Sequence, residues 1–93
     1  MEYIAIIHKD RDSDFGVSFP DFPGCITAGR TLEEAKTMAA EALSLCIEEM
    51  RADGEAVPVP SSFDAVMNNP DFRDGVAFLV SEIANPTHSA AAK

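Results

Sequence analysis

Apolar residues cluster in short runs along the first third of the chain and then fall into a helical rhythm. "YIAIIH" (3–8) and "FGVSF" (15–19) are rich in β-branched and aromatic residues, and "KDRDSD" (9–14) supplies turn residues between them. Positions 1–20 therefore predict a hairpin with a longish loop. "CITAGR" (25–30) predicts a third short strand. The strongest signal lies in "TLEEAKTMAAEALSLCIEEMRADG" (31–54), where Leu32, Ala35, Met38, Ala39, Ala42, Leu43, Cys46, Ile47 and Met50 recur at helical spacing. Thr31 and Glu34 are spaced as a capping box, and Gly54 is placed to stop the helix, so an amphipathic helix packs on the sheet.

Between the second and third strands stands "SFPDFPGC" (18–25). Pro20 and Pro23 cannot donate to a sheet ladder and Gly24 permits a bend, so a stiff turn is predicted there, with Phe19 and Phe22 held in fixed places. After the helix, "EAVPVPSS" is a proline-bearing connection, and "SSFDAVMNN" predicts a short helix capped by Ser61 or Ser62 and broken before Pro70. "GVAFLVSEI" (75–83) predicts a last strand. Its run from Val76 to Val80 is nearly continuous, as expected of a strand covered on both faces, by the helix on one and a partner on the other.

Length and composition change this picture little. Ninety-three residues, 46% apolar and 25% charged, suit one small folded domain. No apolar run is long enough for a membrane span, and an acid stands near the start where a secretory signal would carry basic residues, so no membrane association and a cytoplasmic location are expected. Charge changes it more. Sixteen acids against seven basic residues give a net charge of -9, which repels nucleic-acid phosphates and predicts no direct nucleic-acid binding. The same field attracts a basic protein and speeds its encounter, although acidity also serves simple solubility.

The chemistry-bearing residues do not assemble. Cys25 and Cys46 stand far apart without a CxxC motif, so reduced, partly buried thiols are expected, and His8 and His88 lack the neighbours a zinc site needs. Two-metal nuclease chemistry needs converging carboxylates, but the candidates are only Glu2, Glu48 and Glu49, and the strand interior "YIAII" has none. "DRDSDFG" imitates a calcium loop, yet it places Phe15 and Asp21 where an EF-hand needs glycine and glutamate. No serine, histidine and acid grouping can be built. The expectation is a non-enzyme without metal or cofactor.

"DFGVSFPDFPGCITAGRTLEEAKTMAAEAL" followed by "ADGEAVPVPSS" resembles the HicB family of antitoxins: a strand ending in Phe-Pro-Asp, then Pro-Gly-Cys, a short strand, a Thr-capped helix rich in alanine and glutamate, and a proline-marked exit. The likeness covers roughly residues 3 to 83. It implies an α+β domain with a reduced ribonuclease H-like fold that has lost catalysis: a three-stranded antiparallel meander, a long helix, a short helix and a final strand beside the first. It also implies a partner, a small basic HicA-like toxin that cleaves messenger RNA and is neutralised by occlusion, and self-association as a homodimer or higher homo-oligomer.

Longer members of the family continue into a DNA-binding segment. Residues 1–84 are therefore expected to form the antitoxin domain, with 85–93 a flexible tail or the start of a linker to an absent segment. Asp21, Phe22, Glu33 and Glu34, near the turn and the helix start, are the candidate partner contacts, whereas Phe19, Gly24 and Cys25 are expected to serve the turn itself. The alternative is a stand-alone, non-catalytic regulatory or structural domain with no toxin partner.

Overall fold

The computed structural model describes residues 1–9 and 11–82; the expected tail at 85–93 and His88 lie outside the described residues. Strands β1 (Glu2–Lys9), β2 (Phe15–Ser18), β3 (Ile26–Gly29) and β4 (Val76–Ser81) form one antiparallel sheet in the order β3-β2-β1-β4. Helix α1 (Leu32–Ala52), the short helix α2 (Phe63–Met67) and a single 3₁₀ turn (Pro70–Phe72) lie between β3 and β4. The α+β class, the meander, both helices and the place of the last strand beside the first agree with the sequence reading. The 3₁₀ turn was not anticipated; Asn69 Oδ1 caps it by accepting from Asp71 N–H at 2.9 Å, and Pro70 fits its first position, where no N–H is needed.

The central strand β1 explains why "YIAII" does not alternate. Tyr3, Ala5 and Ile7 face α1 in one apolar cluster with Val17, Phe19, Leu43, Ile47 and Val80. Ile4 and Ile6 face the other side, against Val66, with Met67, Phe72 and Ala77 packed beside them. Both faces are covered, so both parities of the strand are apolar. The same division accounts for the apolar run of β4. Its second cover is partly the chain's own α2 and 3₁₀ turn, where the sequence suggested a partner, although Val76 and Leu79 remain exposed.

Helix α1 begins and ends as its sequence dictates. Thr31 Oγ1 accepts from Glu34 N–H at 3.0 Å, and Glu34 Oε1 accepts from Arg30 N–H at 2.7 Å, one residue before the cap. At the other end Gly54 N–H donates to Arg51 O and Glu55 N–H to Met50 O, the paired bonds of a Schellman motif. The buried stripe is Ala35, Ala39, Leu43, Ser44 and Ile47. Leu32 and Met38, expected in that stripe, are exposed. Spacings of three and four straddle the true period of 3.6, so Met38 and Ala39 fit the pattern equally well and only packing separates them.

The small residues of the stripe bring the helix close to the sheet. A Cβ added at Gly29, at the end of β3, would stand 2.4 Å from Ala35 N and 2.7 Å from its Cα. Gly24 differs: its φ is +90°, but a Cβ there would meet open space. Gly29→Ala is therefore expected to destabilise the domain by about 3 kcal/mol, because backbone must move, and Gly24→Ala by only about 1–2 kcal/mol of backbone strain. Denaturant unfolding of the two variants checks the order. Equal losses would show that the helix does not rest on Gly29.

Candidate functional site

The "SFPDFPGC" stretch folds into two successive turns. Phe22 N–H donates to Phe19 O at 3.0 Å and Cys25 N–H to Phe22 O at 2.9 Å. These bonds drive both phenylalanines inward; Phe19 and Phe22 are buried, and the Phe22 ring meets Tyr3 edge-on, with centroids 4.8 Å apart and an interplanar angle of 69°. The Tyr3 hydroxyl donates to Pro58 O at 2.6 Å. Asp21 then ties the turn to the same exit segment: its Oδ2 accepts from Ser61 N–H at 2.9 Å and its Oδ1 from the Ser61 hydroxyl at 2.5 Å.

The four residues picked from sequence as partner contacts are thus placed unequally. Phe22 is inside the core, and both carboxylate oxygens of Asp21 serve Ser61. Glu34 is exposed but engaged in the helix cap. Glu33 is exposed in the first turn of α1, with its carboxylate toward solvent.

A larger surface lies further along that helix. Glu34, Glu41 and Glu48 are spaced seven apart, two helical turns each, so they share one face, and Met38 and Leu45 repeat at the same interval beside them. Leu45 is 59% exposed and Met38 37%. The seven-residue spacing was present in the sequence. Helical periodicity marks the buried stripe most strongly, however, and hides a second apolar row on the outer side.

A pocket of about 340 Å³ opens between the turn and the C-terminal half of α1, lined by Cys25, Cys46, Asp21, Glu49, Asp53 and Glu55 among others. Both thiols are free; Cys25 is buried and Cys46 half-buried. Burial, followed by the hydrogen bond to the Cys46 side chain, pushes the Cys25 thiol up to about 12. Burial also raises the Tyr3 hydroxyl, helped by the nearby Glu82 and Asp21 carboxylates. Among the described residues no three His, Cys, Asp or Glu side chains gather as a metal site, and no helix is long and apolar enough to cross a membrane.

The α+β domain thus carries carboxylates and apolar side chains together on the outer face of its long helix. The chain belongs to the HicB-like antitoxins of bacterial toxin-antitoxin systems, whose family profile matches residues 3–91. It is 40% identical over 80 residues to a 14.9 kDa protein of the rep-hol intergenic region of Haemophilus phage HP1, covering 86% of this chain and 59% of that one. It is 38% identical over 60 residues to antitoxin HicB 1 of Photorhabdus laumondii, covering 64% of this chain and 39% of the relative.

Among solved structures, the Burkholderia pseudomallei antitoxin HicB superposes with a TM-score of 0.78 at 33% identity, over 87% of this chain and 62% of that one. A chain of the HicA3 and HicB3 toxin-antitoxin complex gives 0.72 at 28% identity, over 87% and 96%. The chain thus spans about three fifths of the phage relative and of the Burkholderia antitoxin, and about two fifths of the Photorhabdus one.

Asp21→Ala removes both acceptors from Ser61 and is expected to lower stability by about 1–2 kcal/mol, the bonds being partly solvated; an unchanged urea midpoint would deny the clamp. The raised thiol and hydroxyl make a second prediction. Folding favours both neutral forms, so each group contributes stability that is complete well below its ordinary value and is lost as pH rises through the raised one, about 12 for Cys25. Thermal midpoints measured from pH 8 to 12 should fall, and Cys25→Ala should flatten the first part of that fall.

Proposed function

We propose that this domain neutralises a small, basic, HicA-like RNA-cleaving toxin in the cytoplasm by occlusion, without catalysis and without contacting nucleic acid itself. The observation that carries the reading is the outer face of α1, where Met38 and Leu45 stand exposed among Glu34, Glu41 and Glu48, with Glu33 at the N-terminal end. A ribonuclease must keep a basic, RNA-binding surface open. An acidic protein laid across that surface competes with RNA by charge and by bulk, while exposed apolar side chains give the contact its desolvated centre. Family membership and the likeness to a chain of a HicA3 and HicB3 complex support the assignment.

Self-association belongs to the same proposal. Strand β4 is an edge of the sheet with Val76 and Leu79 exposed, and it offers its free backbone groups to a second copy.

The contact surface is tested with Glu33→Lys/Glu41→Lys, two exposed positions that touch neither the core nor the Asp21 clamp. The folded double variant should associate about tenfold more slowly at low salt with a purified basic HicA-like toxin, and the difference should shrink as salt rises. Leu45→Ala should instead speed dissociation. Unaltered rates in both variants would move the contact off α1. Failure of the parent domain to bind that protein, or to protect RNA from it, would favour the stand-alone domain.

A further inference from the structure

Cys25 and Cys46 are separated by a strand and most of a helix in the sequence, yet the fold brings them together. Cys25 Sγ donates to Ala42 O at 3.5 Å, and in an α-helix that carbonyl is the acceptor of the Cys46 N–H. The Cys25 sulfur therefore sits one hydrogen bond away from the backbone of Cys46. Both line the pocket, where Asp21, Glu49, Asp53 and Glu55 supply only carboxylates as charged groups. Cys46 is the more open of the two.

We propose that Cys25 and Cys46 form a reversible disulfide site, oxidised by small disulfides of neutral or positive charge. Cys46 reacts first because solvent reaches it. Its thiolate attacks one sulfur of the reagent RSSR, forming a mixed disulfide at Cys46 and releasing RS⁻, which takes up the proton that Cys46 lost. The sulfur of Cys25, shedding its proton to solvent, then attacks Cys46 Sγ and expels the second RS⁻, which is protonated in turn. Two protein thiols are oxidised to one disulfide and RSSR is reduced to two RSH. The raised Cys25 thiol makes the second step the slower one. Carboxylates around the pocket disfavour an anionic reagent such as glutathione disulfide and favour the dication cystamine.

The full chain is incubated at pH 8 with cystamine or glutathione disulfide, then quenched with acid and weighed by mass spectrometry. The expected product is a monomer lighter by two hydrogens, with a peptide joining Cys25 to Cys46 and a higher thermal midpoint than the reduced form. Cystamine should act about tenfold faster than glutathione disulfide at low salt, with the ratio falling as salt rises. Cys25→Ser should stop at a single mixed disulfide on Cys46, and Cys46→Ser should leave Cys25 unmodified unless the chain is unfolded in denaturant. The proposal is overturned if the folded parent chain accumulates the mixed disulfide without closing it, or if both thiols stay reduced under conditions that oxidise them in denaturant.

Discussion

A tyrosine hydroxyl buried in the middle of a small domain must find an acceptor, because leaving it unpaired would cost on the order of several kcal/mol. Tyr3 stands on the central strand with no exposed surface, and its hydroxyl reaches Pro58 O. That bond requires the segment leaving α1 to return across the end of the sheet. Proline at 58 and 60 stiffens the return, and Ser61 and Ser62 arrive where they are used: Ser61 on Asp21, and Ser62 as the cap of α2 through Ala65 N–H. Once α2 starts there, Val66 lies over Ile4 and Ile6 and the second face of the sheet is closed. At the far end of the segment Arg51 pairs with Glu82 at 3.0 Å, an exposed contact that adds little.

Acids of the turn and of helix α1 do two kinds of work. Asp21 and Glu34 satisfy backbone N–H groups and so serve the fold, Glu34 doing so from an exposed position on α1. Glu33 and Glu41 are exposed along α1 and contribute to the negative field on that side of the domain. The stiff turn and the helix surface are thus separate devices, and a substitution in one need not disturb the other.

Much of the fold was legible because its signals are local. Thr31, Glu34 and Gly54 mark the ends of α1 by chemistry that acts over three or four residues, and Pro20, Pro23 and Gly24 mark a turn by what their backbones forbid or permit. The partner contacts were harder. Asp21 and Phe22 read as an exposed acid beside an aromatic until Ser61, forty residues on, and Tyr3 engage them, and no local rule announces either meeting. The pairing of Cys25 with Cys46 and the crowding of Gly29 by Ala35 share that cause. Nor did the sequence give β4 a direction. The connection at 53–75 turns the chain once more through α2 and the 3₁₀ turn, so β4 enters antiparallel to β1.

The order in which the strands are made has its own consequence. β1 is synthesised first and occupies the middle of the sheet, but its neighbour β4 emerges last, pairing Glu2 with Ser81 and Ile4 with Leu79. Until then a growing chain can fold its meander and α1 while one side of β1 keeps a row of open peptide groups beside Ile4 and Ile6. A polypeptide whose translation stalls before residue 76 therefore leaves the edge of β1 unpaired, whereas pairing with β4 moves the open edge outward to Val76 and Leu79.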